Sequence, residues 1–287
     1  MSRSDRLFNL LQVFFGSAGM IWKAREGYPI IDSPGLLQPM DSSEAALSYK
    51  NTSTWFGFCM GRSVLSMWDN WPWFSLHCIL YIGQLVGFFL IILHETVPHG
   101  GPLNKFGTFV ALGYLCHILG LSTALPMFSL WVFNSRRATN LVTAWSRRKE
   151  KALTIIFWFS GIMHIAVFLV AFTATLIPRD ATAPFHIMNS LLGVPDCSQL
   201  PCSAVAQRHA RLRQINEITG TSSGFFMTVG LFSHALEANN THLSSRLLTR
   251  MFLVSLIAGP AAGGADVLLL RDSFIRSRKH RERRDVQ

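Results

Sequence analysis

Four stretches of this chain are predominantly apolar: Trp73–Leu93, Phe106–Phe133, Leu153–Ile177 and Leu247–Leu270. Each reaches or exceeds the roughly 20 residues that a helix needs to cross a hydrocarbon core about 30 Å thick. Three shorter stretches, Leu7–Trp22, Trp55–Trp68 and Thr221–Leu236, fit tilted ends, interfacial helices or further spans. Hydrophobic residues make up 49% of the chain and charged residues only 15%, and the charges collect between the apolar stretches. The expected fold is all-α, a polytopic transmembrane helical bundle of about six or seven spans. Residues 1–272 read as one membrane-embedded domain and 273–287 as a basic polar tail, with no internal repeat or second domain. Residues 24–54 and 178–216 carry Pro, Asp and Ser and suit caps outside the bundle.

Leu7–Trp22 has the form of a signal-peptide core preceded by Arg3 and Arg6. The residues after it, Lys23-Ala24-Arg25-Glu26, offer no small-residue cleavage site, so a retained helix is expected. The net charge is +10, concentrated in Arg136–Lys151 and Arg271–Arg284 directly after apolar stretches. That placement follows the positive-inside rule and does not call for a nucleic-acid partner. It also creates a conflict, because three apolar stretches separate the two basic runs and would put them on opposite sides. Either Thr221–Leu236 does not cross, or Phe185–Val194 re-enters, or one basic run faces the lumen.

Five cysteines are too few for a disulfide scaffold. Cys59, Cys78 and Cys116 fall in or beside apolar stretches and read as core residues, whereas Cys197 and Cys202 share a loop where a disulfide is open to them. Asn51 and Asn239 head formal glycosylation sequons.

Polar residues inside the apolar stretches form stripes. Tyr81, Gln84 and Glu95 fall within about 40° of His77 around a helix. Ser160 and His164 are spaced i, i+4, with Thr175 returning to that face. Tyr114 and His117 are spaced i, i+3. Glu217 and Thr221 open the stretch near 221–237, and His234 and Glu237 close it. Gly259, Ala262, Gly263 and Asp266 are spaced i, i+3, i+4, i+7, so a helix through them turns the acid toward neighbouring helices. Lipid exposure of these groups is costly, so the stripes are expected to face one another around a polar cavity.

The chain has no Walker A or dinucleotide fingerprint, no GxSxG elbow, no HExxH, and neither the DDxxD nor the DxDD motif of soluble terpene synthases. What remains is metal-free acid–base chemistry or binding inside a helical bundle, with no cofactor expected. A buried carboxyl suits proton donation, and an aromatic, apolar pocket keeps water from a cation.

The segment order and the ending Gly259–Asp272 resemble fungal integral-membrane terpene cyclases of the ascofuranone and macrophorin type, whose relatives act on polyene polyketide epoxides. The resemblance runs loosely from Trp73 to Asp272. It includes Gly113-Tyr114-Leu115 with Ala124-Leu125-Pro126, and Gln214-Ile215-Asn216-Glu217, a looser version of a Gln-and-acid pattern. The Trp-Glu within a membrane helix that marks the pyripyropene and paxilline type is missing.

The resemblance implies a metal-independent cyclase of fungal secondary metabolism, integral to the endoplasmic reticulum membrane. It would open an epoxide or protonate an alkene on a prenylated or polyene substrate and close a ring. Asp266 and Glu217 are the leading candidates for the acid and Glu95 the third. His77, Tyr81, Gln84, His117 and His164 are candidates for substrate contact. The implied partners are a lipophilic substrate, the lipid bilayer and an upstream monooxygenase that makes the epoxide. A small-molecule transporter or a membrane assembly factor is the competing class, and a sterol-isomerase-like or acyl-transferring enzyme is a third.

Overall fold

A computed structural model describes residues 3–27, 71–96, 121–138, 147–177, 180–202, 204–238 and 240–285, with residues 107, 110, 111 and 115. Trp55–Trp68, Cys59, Cys116, Gly113, Tyr114, His117, Asn51 and Asn239 lie outside the described residues. All regular structure among the described residues is helical: α1 (Arg3–Arg25), α2 (Trp71–Thr96), α3 (Leu121–Ala138), α4 (Arg147–Leu176), a 3-10 turn (Asp180–Phe185), α5 (Ile187–Ser190), α6 (Ala204–Glu237), α7 (Ser245–Ala258) and α8 (Pro260–Asp285).

Small residues let the helices approach closely, and their neighbours set the directions. On α2, Gly83 abuts Met163 and Gly87 abuts Ser160, whose hydroxyl donates to the Gly83 carbonyl at 2.9 Å, so α4 runs antiparallel to α2. Phe88 packs on Gly224 of α6 and reaches Gly264 of α8, and both helices run parallel to α2. The amide of Gln12 on α1 donates to the Ser223 carbonyl at 3.0 Å and accepts from the Ser223 hydroxyl. Gly19 meets Ser122, Gly16 meets Pro126, and Phe8 sits between Phe133 and Gly230. Thus α2, α3, α6 and α8 point one way, and α1, α4 and α7 the other.

The expected single stretch Leu247–Leu270 is two helices. Proline has no N–H to continue a helix and disfavours helical backbone in the residue before it. Gly259 accordingly leaves the helix at φ +89°, and Pro260 opens α8. Gly259 therefore does not share a helix with Ala262, Gly263 and Asp266. Ser244 caps the start of α7 by accepting from the Leu247 N–H at 3.3 Å. With 14 residues, α7 rises about 21 Å, against about 39 Å for the 26 residues of α2. Its tip at Gly259 meets Gln84, halfway along α2. The α7–α8 hairpin enters the bundle, turns at mid-depth and leaves by the same end.

That turn removes the charge conflict. Four helices that enter the bundle, α4, α6, α7 and α8, stand where three stretches were expected, so the described residues of the two basic runs lie at one end, where Arg276 meets Glu150. The N-terminal turns of α1 and α7 add Arg6, Arg246 and Arg250 to this basic end.

Phe185–Val194 does not re-enter. Phe185, Ile187 and Leu191 cover Leu76 and Leu80 of α2 and Val167 and Ala171 of α4 at the opposite end. The Ile187 N–H donates to the Thr175 hydroxyl at 2.9 Å, and the Gln214 amide donates to the Gly193 carbonyl. Cys197 and Cys202 form a disulfide in this cap, and Cys78 is buried. Two hydrogen bonds from Ser198 hold the Asp196 carboxyl below its ordinary range.

Among the described residues, two helices are long and apolar enough to cross a membrane, over Ser75–Glu95 and Glu150–Leu176. The others fall short for visible reasons. α6 opens with Arg208, Arg211, Arg213 and Glu217, α7 is short, and the second half of α8 is basic. The outer face of α4 leaves Ile155, Trp158, Ile162, Leu169, Phe172 and Leu176 exposed, and α7 adds Phe252, Leu253, Leu256 and Ile257. Exposed apolar side chains in this number call for lipid or another apolar partner.

Candidate functional site

The polar residues singled out in the sequence occupy separate levels along the bundle. Nearest the cap, His77 of α2 and Glu217 of α6 meet with Nε2 and Oε2 3.4 Å apart, at side-chain exposures of 4% and 16%. Tyr81, one turn further along α2, is buried in the main apolar core. Thr221 donates to the Glu217 carbonyl and stays within its own helix.

Seven residues below His77, a rise of about 10 Å, lies Gln84. It is fully buried, and its Oε1 accepts from the Ala261 N–H at 2.8 Å. This N–H belongs to the first turn of α8, where backbone donors have no partner within the helix. His164 of α4 comes to the same point. Its ring packs on Phe168 with centroids 4.6 Å apart, and a Cβ placed on Gly259 would lie 2.8 Å from its Nδ1. Gln84, His164 and Gly259 thus converge at the hairpin tip.

Asp266 lies lower. α2 and α8 run in parallel register, with Gln84 beside Ala261 and Glu95 beside Arg271, which puts Asp266 about 20 Å from the His77 level. Its Oδ1 is 3.7 Å from Nη2 of the half-exposed Arg250 on α7, and its Oδ2 is buried without a hydrogen-bond partner among the described residues.

Glu95 sits at the basic end. Arg271 donates to both of its oxygens at 2.8 and 2.9 Å and to Asp272 Oδ1 at 2.9 and 3.0 Å, and His94 Nδ1 is 3.2 Å from Glu95 Oε1. Both carboxylate oxygens are engaged by the guanidinium fork, the geometry of a bidentate clamp. The stripe proposed from helical angles is real for His77, Tyr81 and Gln84. Glu95 shares their angle but not their height, since 11 further residues carry it about 16 Å beyond Gln84. The expected single cavity uniting Asp266, Glu217, Glu95 and the His77 stripe is therefore not what the helices build.

Sequence reasoning missed Arg271 and Asp272 as buried ionic residues, reading them as a family ending and Arg271 also as the start of a basic run. The i, i+1 pair at the junction of an apolar run and a basic tail gave no hint of burial. It also missed Lys23, which is fully buried on α1.

No family model matches the chain, and no solved structure matches it. Two curated proteins do. Lolitrem B biosynthesis cluster protein S of Epichloe festucae is 69% identical over 280 residues, covering 97% of this chain and 99% of that protein. Indole-diterpene biosynthesis cluster protein S of Claviceps paspali is 50% identical over 286 residues, with the same coverage. At such identity over nearly the full length of both relatives, the chain belongs to the cluster protein S family of fungal secondary-metabolite biosynthesis.

Proposed function

We propose that the chain is an endoplasmic-reticulum membrane cyclase that closes a ring on an epoxidised, prenylated indole. The observation that carries this reading is the contact of His77 and Glu217, an imidazole and a carboxyl brought together from two helices inside an apolar bundle. The two relatives are named for lolitrem B and indole-diterpene biosynthesis clusters, and these names support a substrate from that pathway. The resemblance of Gly259–Asp272 to membrane cyclases supplies the reaction type.

In its acid form, Glu217 gives its proton to the epoxide oxygen. The C–O bond to the more substituted carbon breaks, and an alkene of the prenyl chain supplies the electron pair for a new C–C bond. The resulting cation loses a proton to His77 and becomes an alkene. The proton on His77 returns to Glu217 across their contact and resets the pair. Substrate and product are isomers, so no oxidant or reductant is consumed. The epoxide must come from a monooxygenase acting earlier.

Of the three acids named from sequence, Glu217 suits this role best. Glu95 has both oxygens bound by Arg271, and Asp266 lies beside Arg250. Glu217→Gln and His77→Phe are each expected to lower turnover of the epoxide in microsomes about 100-fold or more at matched expression. Asp266→Asn is expected to keep most of the activity. Wild-type turnover by Glu217→Gln would remove the acid assignment.

The basic end faces the cytosol in this reading, and the disulfide cap faces the oxidising lumen. An N-x-Ser/Thr site inserted in the cap between Leu191 and Cys202 is expected to be glycosylated in cells, and one inserted between Thr241 and Ser244 to stay unmodified. The reverse pattern would invert the topology.

A transporter is the second reading, favoured by one feature: the α7–α8 hairpin presents a helix N-terminus at mid-depth, as discontinuous helices do at transport sites. Movement of an unaltered epoxide across vesicles, with no ring formed, would select it.

A further inference from the structure

α4 and α7 both start at the basic end and run in the same direction. They meet where a Cβ on Gly161 would lie 3.6 Å from that of Ala258. On one face of each, cations toward the basic end give way to apolar side chains. On α4 that face is Lys151, Ile155, Trp158 and Ile162, and on α7 it is Arg246, Arg250, Leu253 and Ile257, all of them exposed. Both sets are spaced i, i+4, i+7, i+11, which keeps each on one stripe of its helix. At about 100° per residue, the α4 stripe lies roughly 60–120° around from Gly161 in the sense in which the chain winds. The α7 stripe lies roughly 80–140° around from Ala258 in the opposite sense. Between parallel neighbours, opposite senses open on the same side, so the two stripes flank one groove. Their levels match too. Lys151 lies about 15 Å from the Gly161–Ala258 level toward the basic end, and Arg250 and Arg246 about 12 and 18 Å. Arg250 is 3.7 Å from Asp266 of α8, and Lys151 and Arg246 form no ion pair among the described residues. Glu150 is taken up by Arg276. Three cations less the Asp266 carboxylate leave two positive charges at the mouth of an apolar groove.

We propose that the groove between α4 and α7 binds an anionic phospholipid, with its phosphate among Lys151, Arg246 and Arg250 and an acyl chain along Trp158, Leu253 and Ile257. Guanidinium and ammonium groups donate charge-assisted hydrogen bonds to phosphate oxygens. Each basic residue near a membrane surface raises the affinity for anionic lipid about fivefold. A phosphatidylcholine head brings its own ammonium, which the two surplus cations repel. Inorganic phosphate would meet the cations but leave Trp158, Leu253 and Ile257 uncovered, so the apolar half of the groove selects the lipid. The site does not depend on the cyclase reading. Only its assignment to the cytosolic leaflet rests on the topology proposed above.

Trp158 stands in the groove and reports on it. The full chain is reconstituted in phosphatidylcholine vesicles holding a rising fraction of lipid brominated in its acyl chains, either phosphatidic acid or phosphatidylcholine. Bromine quenches tryptophan on contact, and the quenching that Trp158→Phe lacks is the signal. Brominated phosphatidic acid is expected to reach half its effect at about a tenfold lower fraction than brominated phosphatidylcholine, after screening by salt. Lys151→Gln combined with Arg246→Gln is expected to bring that ratio to about twofold or less. Both side chains are exposed, and a thermal melt confirms that the variant folds. Arg6→Gln removes an exposed cation of the same end from α1, which packs on α3 and α6, and is expected to keep the full ratio. Equal quenching of the wild type by the two lipids overturns the proposal. So does an equal loss of preference in Arg6→Gln, which would mean a diffuse response to charge. Inorganic phosphate added in the aqueous phase is expected to leave the quenching in place; its full displacement of the lipid would assign the cations to a free anion and overturn the lipid site.

Discussion

Arg271→Met is expected to leave little folded protein. The guanidinium is the shared partner of Glu95 and Asp272, whose side chains are 1% and 8% exposed. Removing it strands two carboxylates beside each other in a buried place, and breaking a buried ion pair from one side costs about 3–5 kcal/mol. The whole stability of a domain is about 5–15 kcal/mol, so the loss is a large share of it. The pair also ties the far end of α2 to α8, so the hairpin loses its anchor at the basic end. Glu95→Gln together with Arg271→Met should recover part of the loss, because one of the stranded charges is gone. Thermal melts in detergent decide the matter. An unchanged midpoint for Arg271→Met would mean that the cluster is not buried in the folded protein.

Gly259→Ala should be strongly damaging for so small a substitution. At φ +89° and ψ 155° the backbone occupies a region essentially reserved for glycine, and a side chain there costs about 1–3 kcal/mol in strain. The added methyl would also press on Gln84 Nε2 and on His164 Nδ1 and Cγ. Relief requires the hairpin tip to move, which breaks the bond from Ala261 to Gln84. Stability should fall by at least the strain. Gly161→Ala is the control. Its Cβ would sit 3.6 Å from that of Ala258, an ordinary contact, and alanine is the better helix former by about 1 kcal/mol. If Gly259→Ala behaves like Gly161→Ala, the turn is not formed as described.

The helical class was legible because hydrophobic runs of this length have few other outcomes, but the six or seven expected spans were not, since two helices among the described residues are long and apolar enough to cross. The stripe of His77, Tyr81 and Gln84 was legible as well, since helical angle depends on residue number alone. Height along the bundle was not. Glu95 and Asp266 looked like partners of that stripe because a helical wheel discards the rise per residue. The break at Gly259-Pro260 was readable in principle, as glycine followed by proline is a strong turn signal. Continuous hydrophobicity on both sides hides it, and a single unbroken stretch there sets the two basic runs on opposite sides.

The sequence by itself determined the helical class, the segregation of charge, the loop that carries Cys197 and Cys202 and the list of polar residues that need partners. These follow from local composition and spacing, which a chain carries before it folds. Only the tertiary structure decided which partners they have. His77 meets Glu217 across 140 positions of chain, and Glu95 meets Arg271 across 176, through helix directions set by where small residues permit contact. A single turn at mid-depth placed Gly259 between Gln84 and His164, and it brought the described residues of both basic runs to one end of the bundle.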